Sequence, residues 1–191
     1  MLRNYRKPLV IASPKGLLRL SVRRDVICSQ RSHFISFIQA ASSSLADIEP
    51  GTKFDPVLVD PVTDKLKAKR VVMLAGKVYY ELIKERQARN LNDTVALVRI
   101  EELAPFPFKE LERVLLLYPN AKEFAWLQEE PRNQGAFTHV QSRILSVLGS
   151  MGRDMSLMYI GRKESSVPAP GVGKLYQVQQ KSVIEAPFLS L

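Results

Sequence analysis

Short apolar runs recur along the chain and are separated by longer, mixed segments. They cover residues 9–11, 57–59, 71–74, 95–100 and 124–127, and a weaker sixth run covers 155–160. Each run is short and rich in Val, Ile or Leu, which is typical of strands buried on both faces of a sheet. The pattern therefore predicts a sheet of about six strands, most of them in the interior.

The segments between the later runs have helical periodicity, with apolar positions three or four residues apart. In segment 77–90, Glu85 and Arg89 also have a favourable i,i+4 spacing. The tail, residues 173–188, is expected to dock as a last helix. The positions predicted to face the core are Val78, Leu82 and Ile83 in 77–90, Phe108, Leu111, Leu115 and Tyr118 in 108–119, Phe137, Val140, Ile144 and Leu148 in 137–148, and Leu175 and Val178 in the tail.

Strands alternate with helices from residue 69 to 160, an order that predicts successive right-handed crossovers. We expect a three-layer α/β/α fold with a mainly parallel sheet over residues 45–191, preceded by an irregular N-terminal arm, residues 1–44. Ligands of such sheets bind beyond the carboxyl ends of the strands. The loops there are 75–77, 101–108, 128–135 and 161–166, and we expect this rim to meet a ligand or another protein surface.

The loop 128–135, "QEEPRNQG", concentrates polar side chains where a strand is expected to turn into a helix. Glu129 and Glu130 could form a general acid and base, but adjacent residues at a strand end point to opposite sides. We favour a structural role, in which one carboxylate accepts hydrogen bonds and Asn133 and Gln134 help to organise the loop. Gly135 would allow the tight entry into the following helix.

Composition excludes several kinds of site. The single cysteine, Cys28, allows no internal disulfide and no cysteine-based zinc cluster, and His33 and His139 are the only histidines. We therefore predict no metal site; that the chain contains no catalytic residue is an expectation that comes from the family resemblance given below. No apolar run approaches the ~18 residues of a membrane span. The segment "PGVGK", residues 170–174, lacks the remaining residues of a phosphate-binding loop.

The chain is basic, with a net charge of +9. This charge suggests nucleic acid as a partner, but no recognition helix or strand motif that mixes aromatic and basic residues appears, so we predict none. Much of the excess precedes Asp25, before which there is no acidic residue. A basic start of this kind is found in organelle transit peptides. The alternative, which we favour, is a buried strand at 9–11 with solvated basic flanks.

Four long segments carry a family resemblance. They are "KRVVMLAGKVYYELIKERQARN", "ALVRIEELAPFPF", "YPNAKEFAWLQEEPRNQGAF" and "YIGRKESSVPAPGVGKLYQVQQ". Together they resemble the C-terminal domain of the decarboxylating subunit of 2-oxoglutarate dehydrogenase, and its 2-oxoadipate dehydrogenase paralogue is also similar. "RKPLVIASPKGLLRL" and "SSLADIEPGTKFDPVL" resemble the segment that leads into that domain. Residues 21–40 depart from the family pattern, as a lineage-specific loop or, as we favour, the read-through of a short intron.

The resemblance implies a transketolase C-terminal-like fold and a parent enzyme of the citric acid cycle (or of lysine degradation for the paralogue) in the mitochondrial matrix. Thiamine diphosphate and magnesium would bind to upstream domains of the parent enzyme, so this chain is expected to bind neither and to be inactive alone. The implied partners are those upstream domains and a homodimer partner. A free-standing acyl-CoA-binding regulatory module is the alternative. The positions that would match its phosphate-binding patch are Lys77, Arg99, Arg162 and Lys163.

Overall fold

The computed structural model describes residue 46 and residues 49–189, and Pro50–Leu191 forms a compact unit. Its sheet has five strands: β1 (Val57–Leu58), β2 (Arg70–Leu74), β3 (Val95–Ile100), β4 (Glu123–Pro131) and β5 (Met158–Arg162). Their order across the sheet is β1-β3-β2-β4-β5. The expected strand at 9–11 and the segment 21–40 lie outside the described residues.

The sheet is mainly parallel, as the alternation of strands and helices predicts. β2 pairs in parallel with both β3 and β4, and β4 pairs in parallel with β5. Only the two-residue β1 runs antiparallel, against β3. All five residues of β2 are buried because this strand lies at the centre of the sheet, which explains why residues 71–74 are continuously apolar rather than alternating.

Helices cover both faces of the sheet. They are α1 (Val78–Ala88), α2 (Phe108–Leu116), α3 (Phe137–Ser150) and α4 (Gly173–Glu185), and a 3-10 turn, Ala186–Phe188, follows α4. The apolar side chains of α2 and α3 form one core with Val71, Met73 and Trp126 of the sheet. Those of α1 and the C-terminal part of α4 form a second core against the opposite face. The predicted three-layer α/β/α architecture is therefore confirmed.

The predicted helix faces are correct for α3 and only partly so elsewhere. Phe137, Val140, Ile144 and Leu148 are all buried, whereas Phe108 at the start of α2 is exposed. The prediction is wrong for the tail helix: Leu175 and Val178 are 48% and 69% exposed, and α4 docks instead through Gln180 and Val183. The physical reason is that Gln180, a polar residue, can be buried because its amide is fully hydrogen-bonded. The spacing of apolar residues alone therefore predicts the wrong face of α4.

A buried ion pair ties the segment after β1 to α1 and β3. The carboxylate of Asp60 accepts hydrogen bonds from the Arg86 guanidinium and from the amide of Leu97 (2.7 Å), and Thr63 Oγ1 donates to it at 3.0 Å. Burial acts to raise the pKa of Asp60, but the hydrogen bonds from Arg86 and Leu97 hold that pKa below its usual value of 3.8. Removing either partner would leave an unpaired buried charge, so this pair holds the amino end of the sheet together.

A second buried arginine anchors the end of the chain. Arg70 Nη1 donates to the carbonyl oxygens of Pro187 (2.6 Å) and Leu189 (2.9 Å), while its Nε donates to Glu123 Oε2 (2.6 Å). Because Arg70 begins the central strand, these bonds attach the 3-10 turn directly to the middle of the sheet.

Candidate functional site

The carboxyl ends of β2, β3, β4 and β5 form a common rim, since these four strands are parallel. β4 is longer than its apolar run and continues to Pro131, so the first half of the predicted loop 128–135 is strand. A register shift between Leu127 and Pro131 accompanies this extension. The polar residues therefore lie on a strand that projects beyond the core, which places them on the rim.

Gln128 is the buried centre of the turn that follows β4. Its Oε1 accepts hydrogen bonds from Trp126 Nε1 (3.0 Å) and from the amide of Phe137 (2.9 Å). Its Nε2 donates to the carbonyl oxygens of Gln134 (2.7 Å) and Pro131 (3.0 Å). One amide side chain thus connects the core tryptophan, the turn and the first residue of α3. The sequence predicted this role for Glu129 or Glu130, Asn133 and Gln134 instead.

Asn133, Gln134 and Gly135 lie in the turn itself. Asn133 Nδ2 and Gln134 Nε2 both donate to the carbonyl oxygen of Ser165, at 3.0 and 2.9 Å, and Asn133 Oδ1 accepts from the Ser165 amide at 3.1 Å. These bonds join the loop after β4 to the loop after β5. Gly135 has φ of +65°, and a Cβ there would lie 3.0 Å from Glu130 Cβ, so both the backbone and the space favour glycine.

The two adjacent glutamates have different surroundings, as expected for neighbouring strand residues. Glu130 is exposed, whereas Glu129 faces α1 and α4. Glu129 Oε1 accepts a hydrogen bond from Gln180 Nε2 at 2.9 Å and lies 3.7 Å from Lys77 Nζ. Glu129 is therefore the carboxylate that links β4 to the helices on that face.

Arg162, at the end of β5, joins the same network. Its guanidinium donates to the carbonyl oxygen of Glu129 and to Gln180 Oε1 (2.7 Å), and it lies over the ring of Tyr176 at 5.0 Å. The residue is 7% exposed, and its Nε has no hydrogen-bond partner among the described residues. Arg162 is thus a buried cation whose charge is stabilised by the oxygen atoms of a backbone carbonyl and of an amide side chain, and by the ring of Tyr176.

The four cations of the expected anion patch do not all converge. Lys77, the residue immediately before α1, lies near the Glu129 carboxylate, and Arg162 donates to the Glu129 carbonyl oxygen. Arg99 lies on β3, where it pairs with Glu101 (3.4 Å) and lies over the Tyr79 ring at 4.2 Å. Lys163 is exposed.

Aromatic side chains pack under the rim on the other face. The Tyr159 hydroxyl lies 2.9 Å from the carbonyl oxygen of Arg162 and 3.1 Å from that of Glu130. Burial raises the pKa of Tyr159, so the phenol is neutral at physiological pH. A Cβ at position 161 would lie 2.3 Å from that hydroxyl, which explains the glycine at the end of β5. The Arg132 guanidinium lies 5.5 Å from the centroid of Phe137.

A groove of about 600 Å³ opens between the end of β5, the loop that follows it and α4. Its floor and walls are largely apolar, and its cationic residues are Arg162 and Lys163. Neither Lys77 nor Arg99 lines it. The lining residues are Pro131, Gly161, Arg162, Lys163, Glu164, Ser165, Val167, Pro170, Gly171, Val172, Leu175, Gln179, Ser182 and Val183.

The chemistry of the rim does not fit thiamine diphosphate and magnesium. Among residues 46 and 49–189, no three His, Cys, Asp or Glu side chains come together as a metal site. The groove contains a single carboxylate, from the exposed Glu164, and magnesium sites need several oxygen ligands.

In the same part of the chain, no helix has the length and apolar character needed to cross a membrane.

Three of the polar residues that organise the structure were not predicted from the sequence: Gln128, Asp60 and Arg86. Asp60 and Arg86 are each other's partners but lie 26 residues apart in the chain, so no local motif identifies the pair. A signal did exist for Gln128, because it directly follows a buried run and is followed by two charged residues. A polar residue at that position is the last buried residue of a strand.

Comparisons with known proteins give a consistent result. The family model described as 2-oxoglutarate dehydrogenase C-terminal matches residues 42–188. The chain is 38% identical over 98% of its length to the 2-oxoadipate dehydrogenase complex component E1 of Danio rerio. It is 41% identical over 100% of its length to the 2-oxoglutarate dehydrogenase E1 component of Cupriavidus necator. In each case the chain covers 18% of the relative.

A solved structure described as a split-gene transketolase, an inactive beta4 tetramer, is similar with a TM-score of 0.46 and 17% identity. The similarity covers 73% of this chain and 43% of the other.

Proposed function

The chain belongs to the 2-oxoglutarate dehydrogenase C-terminal family, and we propose that it acts as a structural and regulatory domain of a thiamine diphosphate-dependent 2-oxo acid dehydrogenase subunit. The observation that carries this proposal is that relatives named as E1 components match the chain over nearly its full length, yet the chain spans only 18% of theirs. A family domain that is a minor part of the enzyme and has no fitting donor set for the cofactor is expected to support catalysis rather than perform it.

The cofactor chemistry is assigned to the rest of such a subunit. Thiamine diphosphate supplies the carbanion chemistry of 2-oxo acid decarboxylation when it is bound, and its diphosphate needs a magnesium site. This domain would contribute by packing against the domains that hold the cofactor and against a homodimer partner. 2-Oxoglutarate is the proposed substrate of the complete enzyme, in the citric acid cycle and the mitochondrial matrix, and 2-oxoadipate is the alternative.

A domain exchange tests this proposal. The segment of the Azotobacter vinelandii 2-oxoglutarate dehydrogenase E1 component that matches this chain, at 38% identity, is deleted and then replaced by residues 50–189. We expect the deletion to abolish 2-oxoglutarate-dependent ferricyanide reduction and the replacement to restore a measurable part of it. A replacement containing Asp60→Asn, which removes the buried carboxylate, should restore less and serves as the matched control.

The isolated chain should show no such activity. With thiamine diphosphate, magnesium and 2-oxoglutarate or 2-oxoadipate, ferricyanide reduction should stay at background. Turnover by the isolated chain, or a soluble replacement that restores nothing, would contradict the proposed role.

The domain boundary is also a proposal. We place it near residue 45, with residues 1–44 as an arm and 45–191 as the folded domain. Limited proteolysis followed by mass spectrometry should remove residues before about 45 first. Cleavage within β3, α2, β4 or α3 before the arm is lost would contradict this division.

Acyl-CoA binding is a second candidate function, supported by the groove at the end of β5. Arg162 and Lys163 line it, it has apolar walls for an acyl chain, and the buried Nε of Arg162 has a free hydrogen. Lys77 and Arg99 would contribute only at longer range. Calorimetry with acetyl-CoA should show binding that Lys163→Ala weakens and that Lys122→Ala, an exposed change at the opposite end of β4, does not. Equal effects of both variants would exclude this groove.

A further inference from the structure

The turns that lead into β2 and β4 lie side by side, at the end of the sheet opposite the rim. Asn120 Nδ2 donates to the carbonyl oxygen of Leu66 at 2.8 Å, and the amide of Lys122 donates to that of Lys69 at 3.0 Å. α2 ends in the same place, because a helix that connects two parallel strands runs opposite to them. We call this surface the amino-end face, and it comprises residues 64–69 and 116–122.

Three leucines project from the amino-end face. Leu66 lies at the tip of a tight turn, in which the amide of Ala68 donates to the carbonyl oxygen of Asp64 (3.1 Å), and it is 65% exposed. At the end of α2, Leu116 and Leu117 are 60% and 38% exposed. Single exposed leucines need no explanation, but three on one small surface indicate that it meets apolar groups outside the domain.

Lysines surround these leucines. Three of them are exposed and form no ion pair with another described residue: Lys65, Lys69 and Lys122. The carboxylates beside these turns are already paired, Asp64 and Asp93 with Lys67, and Glu123 with the buried Arg70. The amino-end face therefore combines exposed apolar side chains with positive charge that the domain itself does not neutralise.

We propose that the amino-end face binds the surface of a lipid bilayer that contains anionic lipids. The leucines would enter the boundary between headgroups and acyl chains. The lysines, which have long apolar stems, would keep their ammonium groups at the level of the lipid phosphates. The strands point away from this face, so the domain would lie on the bilayer with its rim free.

The shape of the face favours a lipid surface over a peptide. Leu66 stands at the tip of a turn, whereas a helix or strand of a partner protein is bound along a groove or a sheet edge. The groove at the end of β5 lies at the opposite end of the strands. The inference does not depend on the proposed dehydrogenase role, and lipid binding would leave that groove accessible.

Flotation of the complete chain with lipid vesicles tests this surface. The wild type should float with vesicles of phosphatidylcholine that contain about 30% phosphatidylglycerol, and much less with phosphatidylcholine alone, because anionic lipids attract lysines near the surface. Leu66→Glu should lower the partition coefficient at least about tenfold, since it removes an inserted leucine and adds a repelled charge. Lys69→Ala should lower it about fivefold.

Each of these variants has a matched control. Val178→Glu changes a residue of similar exposure, 69%, on α4, and Lys109→Ala removes an exposed lysine from the opposite end of α2. Neither should alter flotation, and circular dichroism and thermal melting should show an unchanged fold for all four variants. The controls are needed because the basic residues before Asp25 are themselves attracted to anionic vesicles. Binding that all four variants leave equal would arise there and would contradict the proposal.

An environment-sensitive fluorescent amino acid at position 66 supplies a second measurement. Its emission should shift to the blue when anionic vesicles are added, and the same label at position 178 should not shift. A wild type that stays unbound at about 0.1 M salt, or a label at position 66 that remains in water, would refute the proposal. A label that shifts with a synthetic acidic amphipathic peptide but not with vesicles would assign the face to a protein partner and would overturn the lipid assignment.

Discussion

Replacing Gln128 by methionine tests whether one buried amide organises the rim. The change nearly conserves the volume and flexibility of the side chain, so it removes hydrogen bonds while creating little cavity. Gln128 is 4% exposed, and both the Trp126 Nε1 and the Phe137 amide that donate to it are buried. These two donors would be left without partners, and the hydrogen bonds from the Gln128 amide to the carbonyl oxygens of Pro131 and Gln134 would also be lost.

The expected loss follows from those contacts. A buried donor without a partner costs about 1–3 kcal/mol. Two such donors give about 2–6 kcal/mol before any relaxation. The carbonyl oxygens should contribute less, because a shifted turn can expose them to water. We therefore expect the free energy of unfolding to fall by about 3 kcal/mol, a large part of the ~5–15 kcal/mol that holds an ordinary domain together.

Urea unfolding at pH 7, followed by Trp126 fluorescence and by circular dichroism, measures this loss. The slope of the free energy against urea should not change, since the amount of surface exposed on unfolding is the same. Gln87→Met, at an exposed position of α1, is the matched control and should change stability by less than about 0.5 kcal/mol. A loss below about 1 kcal/mol for Gln128→Met would refute the reasoning and show that the turn is held by its other contacts.

Three further predictions concern single residues. Glu129→Gln should lower the free energy of unfolding by about 0.5–1.5 kcal/mol, because it removes the negative charge that strengthens the part-buried hydrogen bond from Gln180 and attracts Lys77, whereas Glu130→Gln at its exposed neighbour should change it by less than about 0.5 kcal/mol; equal urea midpoints for both variants would contradict this. Asp60→Asn should cost about 3–5 kcal/mol at pH 7, measured by urea unfolding, because its arginine partner would be left buried without a counter-charge. Since the pKa of Asp60 is lowered in the folded state, its contribution is complete above pH ~4 and is lost as the pH falls through the folded-state pKa. Stability curves from pH 7 to pH 2 should therefore converge for wild type and variant, and parallel curves would disprove the linkage. Gly135→Ala should lower stability by about 1–2 kcal/mol because of its φ of +65°; Gly171→Ala, where a Cβ would meet no atom within 4 Å, is the control in the same melting assay.

The sequence by itself determined the architecture. The short apolar runs mark β2 to β5, and the order of strand and helix leads to a mainly parallel sheet covered on both faces. These features are local, because the periodicity of a segment decides whether it can bury one face, both faces or neither. The buried stripe of α3 was predictable for the same reason. The resemblance to the family also rests on ordered local motifs, and the family model matches over the same region.

The tertiary structure decided which polar groups organise the domain. Gln128 is one of several polar residues in its segment, and only the proximity of Trp126, Phe137 and the turn makes it the centre. Asp60 and Arg86 are ordinary charged residues until the fold buries them together.

The docked face of α4 depends on the same kind of information. Gln180 is buried because Arg162 of β5 and Glu129 of β4 form hydrogen bonds with its amide. Leu175, in contrast, lines the groove and stays exposed. Hydrogen-bond and ion-pair partners distant in the chain leave no periodic signal. The sequence therefore predicted where apolar groups lie, whereas the folded chain alone determined how its polar groups are paired.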